Sequence, residues 1–155
     1  MDFIEVIQRS LDSLQSYSQQ ELIQMVQTFD LSPENVMPYV TVPRQLEYGR
    51  NIIYHTKKIE VMVLHFPSLA KTPIHDHGIS TGCIYVVQGK LHNILYTFKS
   101  EESNPTYNQV QQLKQGDLFT VDNGTIHMMQ NPTPLSTITF HVYSPPLEGV
   151  KIHLA

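Results

Sequence analysis

The feature that most constrains the fold is a series of short β-type segments that fills the chain from about residue 39 onward. Val, Ile, Tyr, Phe and Thr are concentrated in these segments, and Gly, Pro, Asn or polar clusters separate them. The predicted strands cover residues 45–54, 58–66, 82–88, 90–98, 106–113, 117–121, 126–130 and 135–143. A series of this kind predicts a mainly β fold, a closed or sandwich-like barrel.

The first 38 residues have a different pattern, which predicts helices packed outside the barrel. Over residues 3–15 the apolar side chains recur at helical spacing. A second helix should begin after Ser18, where Ser-Gln-Gln-Glu forms a capping box. A third should begin after Ser32, which is followed by a proline suited to a first helical turn. We assign these helices a packing role and no catalytic one.

Length and composition limit the class of protein. A chain of 155 residues with 41% hydrophobic content can enclose one core, so we expect a single domain over 1–155, helical over 1–38 and a β-barrel over 39–155. The net charge of −4 gives no reason to expect nucleic acid or an anionic membrane as a partner. The one cysteine and the lack of a signal-peptide pattern predict a soluble cytoplasmic protein. We expect a monomer.

Two histidines one residue apart, His75 and His77, open the β-type segment that leads to Gly89. Alternate side chains of a strand share a face, so both imidazoles can point into one cavity while Asp76 turns away. Two imidazoles leave a first-row metal under-coordinated. The pair therefore predicts half of a metal site and directs the search to a third ligand.

The segment 116–131 supplies a candidate, because its spacing resembles the second motif of the cupin superfamily. The matching residues are Gly116, Gly124, His127 and Asn131, and only the motif proline departs, at Asp122. The earlier segment resembles the first cupin motif at His75, His77 and Gly89. The two motifs lie on neighbouring strands of the jelly-roll barrel in that superfamily. The resemblance thus implies a cupin fold in which His127 joins the other two histidines on one metal.

Gly82 stands where most cupins have a glutamate ligand. Loss of that carboxylate frees a coordination position and removes a negative charge, which favours an anionic, chelating substrate. Three neutral imidazoles leave a divalent metal Lewis-acidic, with open positions for a substrate and O2. The same ligand set would also suit zinc with a water ligand.

Polar side chains also alternate in two other predicted strands. Thr139, His141 and Tyr143 share a face of the last strand, and this row is too polar for a plain core. A core tyrosine whose hydroxyl merely finds a partner is the alternative. Upstream, Tyr48 and Arg50 share a face, and the fork of the guanidinium suits a carboxylate. A lone arginine is more often a surface residue.

Together these segments resemble the cysteine dioxygenase family of thiol dioxygenases over about residues 45–147. The resemblance implies oxidation of L-cysteine with O2 to cysteine sulfinate at Fe(II) held by the three histidines. It also implies that Arg50 grips the substrate carboxylate, that Tyr143 hydrogen-bonds in the active site and that the Ser144–Pro145 bond is cis. The signatures are Tyr48-Gly49-Arg50-Asn51, Pro73-Ile74-His75-Asp76-His77-Gly78, His127 and His141-Val142-Tyr143-Ser144-Pro145-Pro146.

In this interpretation the Tyr48 hydroxyl assists Arg50, and His141 with Thr139 supports Tyr143. The nearest rival is a dioxygenase for 3-mercaptopropionate, a group that usually carries glutamine in place of Arg50. A non-enzymatic metal-binding cupin is a rival of another class. The Tyr48/Arg50 and His141/Tyr143 pairs disfavour it, because a storage site needs no hydrogen-bond donors over the metal.

One departure from the resemblance concerns a covalent bond. Animal members of the family have a cysteine at the position of Gly82, joined to the active-site tyrosine. Cys83 is displaced by one residue and should face the other way, so we predict no thioether to Tyr143 and a small buried side chain instead. Four histidines outside the motifs should be surface or structural residues, and one methionine of the pair Met128 and Met129 should line the pocket. The four are His55, His65, His92 and His153.

Overall fold

Two antiparallel five-stranded sheets are the main regular structure of the computed structural model, which describes residues 1–100 and 103–154. The predicted mainly β fold with helices outside is confirmed. The strands are β1 (Gly49–His55), β2 (Glu60–Phe66), β3 (Ile74–His75), β4 (Thr81–Gln88), β5 (Lys90–Thr97), β6 (Thr106–Lys114), β7 (Leu118–Val121), β8 (Ile126–Gln130), β9 (Thr137–Ser144) and β10 (Ile152–His153). One sheet has the strand order β1-β2-β9-β4-β7 and the other β10-β3-β8-β5-β6.

The N-terminal helices begin where the capping signals predict. The helices are α1 (Phe3–Asp12), α2 (Gln19–Thr28) and α3 (Pro33–Val36), followed by a 3₁₀ turn at Met37–Tyr39. Ser18 and Ser32 accept hydrogen bonds from the third residues of α2 and α3. Among the described residues, no helix combines the length and apolarity needed to cross a membrane.

Helix α1 ends three residues before the predicted boundary at residue 15. The Leu11 carbonyl, which a continuing helix would offer to the amide of residue 15, accepts instead from the Leu14 amide and from the Tyr17 hydroxyl at 3.1 Å. Its hydrogen bonds are therefore satisfied by a tightened last turn and a side chain.

The first strand also differs from its prediction of 45–54, because pairing begins only at Gly49, opposite His65. A Cβ atom at Gly49 would lie 2.0 Å from the Thr41 carbonyl oxygen, so the strand starts where the chain passes tightly beside that residue. Tyr48 consequently lies outside the strand that carries Arg50. Strand β10 was not predicted, since two residues are too few to show a period, and β3 is shorter than the predicted strand through both His75 and His77.

Strand β9 is central to its sheet and buried on both faces. Its residues Ile138, Phe140 and Val142 pack in one hydrophobic cluster with the N-terminal helices. The intervening residues Thr139, His141 and Tyr143 face the interior of the barrel, where Tyr143 belongs to a second cluster that includes β2 residues. The helices and the barrel interior thus share one strand as their common wall.

Candidate metal centre and its pocket

The three predicted ligands converge, and the geometry follows from the pairing of β3 with β8. His75 lies opposite His127 in this antiparallel pair. His77 comes from the turn that follows β3, since the strand ends at His75 rather than running through both histidines as predicted. One ring nitrogen from each of the three histidines lies within 4.8 Å of the others. Asp76 turns away from the cluster, as the alternation predicts.

In each of these histidines, Nδ1 faces an oxygen that can only accept. The distances are 2.8 Å from His75 to the Pro73 carbonyl, 3.3 Å from His77 to the Thr125 carbonyl and 2.6 Å from His127 to Asn93 Oδ1. An oxygen acceptor of this kind fixes the imidazole proton on Nδ1. All three Nε2 atoms therefore present lone pairs.

These Nε2 lone pairs face one another across a short gap. His127 Nε2 lies 3.0 Å from His77 Nε2 and 3.2 Å from His75 Nε2. With the protons held on Nδ1, neither contact can be a hydrogen bond, because both atoms are acceptors. A cation between the three nitrogens satisfies all of them. The residues present therefore fit a divalent metal held by three imidazoles.

The electrostatics keep the three rings neutral, which is the form that binds metal. Burial, followed by the charge of the neighbouring His75, lowers the pKa of His77 to about 4. Burial, followed by the charges of the two neighbouring histidines, lowers the pKa of His127 well below its usual range. Burial also lowers the pKa of His75.

A cavity of about 350 Å³ opens beside the cluster, and five of the residues singled out in the sequence line it. His75 presents its side chain to this cavity, whereas His77 and His127 are fully buried behind it. Of the two methionines, Met129 lines the wall. The other predicted residues on the wall are Tyr48, Arg50 and Tyr143.

Arg50 and Tyr48 face this cavity from the start of β1. The Tyr48 ring stacks on Phe66, with centroids 5.5 Å apart. Burial raises the pKa of the Tyr48 hydroxyl, and the charge of Arg50 opposes that rise. Within the described part of the chain no carboxylate lies at salt-bridge distance from Arg50. The guanidinium is thus available to an anionic ligand.

The row on β9 forms a continuous chain of hydrogen bonds. Thr139 Oγ1 lies 2.7 Å from His141 Nε2, and His141 Nδ1 lies 2.8 Å from the Tyr143 hydroxyl oxygen. The Tyr143 ring stacks at 6.1 Å on the imidazole of His77. Burial lowers the pKa of His141 to about 3, so this imidazole is neutral. Both of its nitrogens are satisfied by the row itself.

A neutral imidazole has one donor and one acceptor, so the row can run in two directions. If Thr139 donates to Nε2, then Nδ1–H donates to the Tyr143 oxygen, and the tyrosine proton points to the cavity that its ring lines. The opposite direction leaves the hydroxyl proton of Thr139, a fully buried residue, without an acceptor among its contacts. The first direction is therefore favoured.

Gly82 lies beneath the Tyr143 ring, which explains why a small residue stands there. A Cβ atom at this position would lie 2.5 Å from Tyr143 Cδ1. Cys83, one residue on, is buried in the helix-side cluster with Val142, on the opposite face of the sheet. Burial raises the pKa of its thiol to about 12. The predicted absence of a Cys83–Tyr143 thioether agrees with these opposite faces. The Ser144–Pro145 bond is cis, as predicted.

Two residues near the centre have roles that the sequence did not indicate. Asn93 on β5 accepts from His127, and its amide nitrogen donates to Gln111 at 2.9 Å, which fixes the side chain's orientation. Asp76 binds the C-terminal segment through hydrogen bonds. An asparagine in a strand carries no local signal of such a role. By contrast, the motif residue Asn131 is structural, since it donates to nearby loop carbonyls.

Two solved structures of other proteins illustrate the shared architecture. An uncharacterised conserved protein with a double-stranded β-helix domain from Klebsiella pneumoniae is 23% identical, with a TM-score of 0.60 over 77% of this chain and 95% of that one. The cupin domain of Schizosaccharomyces pombe Cnp3 is 15% identical, with a TM-score of 0.56 over 70% and 71%. At such low identity the likeness establishes the cupin fold alone.

A family model gives the finer relationship. The model described as cysteine dioxygenase type I matches residues 4–153. The match includes the three histidines, the segment of Arg50 and the row on β9, and it indicates a cupin thiol dioxygenase that acts on a small thiol and O2. The chain belongs to the cysteine dioxygenase type I family.

Proposed function

We propose that this protein oxidises L-cysteine with O2 to L-cysteine sulfinate at an Fe(II) ion held by His75, His77 and His127. When bound there, the metal supplies Lewis acidity that lowers the thiol pKa and a place where thiolate and O2 meet. Both oxygen atoms of O2 are transferred to the substrate sulfur, so the reaction needs no external reductant.

The observation that carries the choice of substrate is the position of Arg50. Its guanidinium lines the same cavity as His75, and no carboxylate of the described chain pairs with it. A substrate carboxylate can form two parallel hydrogen bonds with this group. The Tyr48 hydroxyl assists from the neighbouring position. Arg50 thereby orients the substrate with its sulfur toward the histidines.

Tyr143 contributes a hydroxyl proton to the cavity in this proposal. His141 holds the tyrosine oxygen by donating to it from Nδ1, and Thr139 fixes the imidazole by donating to Nε2. Burial raises the pKa of Tyr143, so the hydroxyl keeps its proton at neutral pH. The donated hydrogen bond stabilises negative charge that develops on the reacting atoms.

The rival substrate 3-mercaptopropionate also has a carboxylate for Arg50, but it lacks the amine that lets cysteine chelate a metal. Cysteamine lacks the carboxylate and would leave Arg50 unpaired at the cavity wall. We therefore expect the order of kcat/KM to be cysteine, then 3-mercaptopropionate, then cysteamine. We further propose a cytoplasmic location, since Cys83 is the single cysteine and suits a reducing compartment, and a monomer, which suits a chain of 155 residues.

Metal analysis of the purified protein, combined with O2 consumption on the three thiols, tests this function. Iron should be the metal that supports activity, and cysteine the preferred thiol. In the variant Arg50→Gln, KM for cysteine should rise by about 10-fold or more, because a charge-assisted hydrogen bond contributes roughly 1.5–3 kcal/mol. Equal kcat/KM values for cysteine and cysteamine would contradict the role of Arg50.

A further inference from the structure

One wall of the substrate cavity is formed by the C-terminal strap, which we define as residues 147–153. Five of its residues line the cavity that also contains His75 and Arg50. The strap ends in β10, whose pairing with β3 places Ile152 opposite His75. This pairing has only two residues, whereas the strands of the opposite wall pair along long ladders. The lining residues are Leu147, Glu148, Gly149, Val150 and Ile152.

Asp76, the residue between the first two histidines, fastens this strap. Its amide donates to the Lys151 carbonyl at 3.0 Å, and its Oδ1 accepts from the Lys151 amide at 3.0 Å. Oδ1 also accepts from the Gly78 amide at 3.1 Å, while Oδ2 lies 3.1 Å from His153 Nε2. The Asp76 side chain thus ties the turn that carries His77 to Lys151, which precedes β10, and to His153, the last residue of β10.

The close contact continues at Gly78. This residue has a φ of 56°, and a Cβ atom there would lie 2.3 Å from the Glu148 carbonyl oxygen. Only glycine allows the strap to pass so near the turn after His77. The strap is therefore held directly against the segment that carries two of the three histidines.

We propose that the C-terminal strap limits the length of the thiol that the cavity accepts, and that Asp76 is the positioning residue that sets its distance from the histidines. This inference rests on the proposed function. Three of the five lining residues, Leu147, Val150 and Ile152, are apolar, and we expect this apolar part of the wall to select by size, whereas Glu148 adds one carboxylate. An apolar wall discriminates one methylene group by about 10–200-fold.

Asp76→Ala tests the fastening, and Asp76→Asn is its conservative partner, because an amide oxygen still accepts from Lys151 and Gly78. Asp30→Ala is the matched control, since Asp30 is an exposed aspartate outside the cavity. In Asp76→Ala the amides of Lys151 and Gly78 should exchange hydrogen about 10-fold faster, while β4 keeps its protection. Asp76→Asn should recover part of this protection.

The same variants test selection. The ratio of kcat/KM for L-cysteine to that for L-homocysteine, which is one methylene longer, should fall by about 5-fold or more in Asp76→Ala. The change should come from a lower KM for homocysteine, with iron content maintained. Val150→Ala trims the wall without touching the fastening, so it should lower the ratio even if Asp76→Ala does not fold.

The outcomes separate the two proposals. Unchanged exchange at Lys151 in Asp76→Ala would overturn the fastening, and an unchanged ratio in both Asp76→Ala and Val150→Ala would overturn the size limit. If the wild-type protein oxidises no thiol, the proposed function fails. The strap is then judged by hydrogen exchange and by the binding of cysteine and homocysteine to the Fe(II)-loaded protein under nitrogen.

Discussion

The barrel contains two sites with buried histidines, the metal cluster and the row on β9. Their histidines are equally buried, but their ring nitrogens have different partners. His127 of β8 and His141 of β9 are both fully buried, and burial lowers the pKa of both. His127 uses one nitrogen on Asn93 and turns the other toward two more histidines. Both ring nitrogens of His141 form hydrogen bonds, one with Thr139 and the other with Tyr143. Burial and pKa therefore do not identify a ligand, whereas an account of each ring nitrogen does.

The largest effect should come from removing one nitrogen of the cluster. His127→Ala should weaken Fe(II) binding by more than about 100-fold and abolish thiol oxidation, because two imidazoles remain for the metal. His141→Ala should keep iron at its wild-type stoichiometry. Iron content after dialysis against a weak chelator measures both. Loss of iron in His141→Ala equal to that in His127→Ala would break the comparison.

Substitutions in the row on β9 should lower kcat for thiol oxidation without changing the iron content. Tyr143→Phe removes the hydroxyl and should lower kcat by about 100-fold, the usual cost of losing one donor to a developing charge. Thr139→Val, which keeps the shape of the side chain, should lower kcat by a smaller factor. Steady-state O2 consumption with parallel iron analysis gives the result, and an unchanged kcat in Tyr143→Phe would remove the row from the mechanism.

Asn93 allows a finer test of the comparison. It contacts the Nδ1 atom of His127 and leaves the Nε2 atom, which faces the metal site, untouched. Asn93→Ala should weaken Fe(II) affinity by about 10–100-fold, since the Nδ1 proton of His127 loses the acceptor that orients the ring. Competition with a chelator of known affinity measures the change. Asn131→Ala serves as the control, for its amide supports loops rather than a ring. Equal affinity in Asn93→Ala and wild type would show that the ring is oriented by other contacts.

The smallest predicted effect is that of acid on the stability of the metal-free protein. Acid should act both on the histidine cluster and on His141. Burial lowers the pKa of His77 to about 4 and that of His141 to about 3, whereas an unperturbed histidine has a pKa of about 6.5. Below pH 6.5 these histidines become protonated in the unfolded chain but stay neutral in the folded protein. The free energy of unfolding is therefore highest above pH 6.5 and falls as the pH drops toward 4. The loss is about 1.4 kcal/mol per pH unit for each histidine.

Urea unfolding at several pH values between 6.5 and 5 measures this slope. His141→Gln should reduce the dependence of the unfolding free energy on pH by the contribution of one histidine. Bound Fe(II) should also reduce this dependence, but only by removing the contribution of the cluster histidines. A slope that is the same in His141→Gln and wild type would mean that His141 is accessible to protons in the folded protein.

The sequence indicated those parts of the site that repeat a period or a fixed spacing. Alternation placed Thr139, His141 and Tyr143 on one face, and motif spacing brought His127 to the other two histidines. The placement of Tyr48 in a strand was wrong, because the limit of β1 is set by contact with a distant carbonyl at Gly49. Asn93 and the C-terminal strap escaped prediction for a related reason. Their roles depend on contacts across the barrel, which leave no local pattern.

Strand β9 has a consequence for the helices that cover it. Its residues Ile138, Phe140 and Val142 pack in the helical cluster, whereas Thr139, His141 and Tyr143 face the interior of the barrel and Tyr143 lines the cavity. Because one backbone carries both sets, we expect a small shift of α1 or α2 to move Tyr143. Substitutions at Leu11 or Leu22, which lie outside the histidine cluster, should therefore lower kcat under conditions in which the protein is still folded.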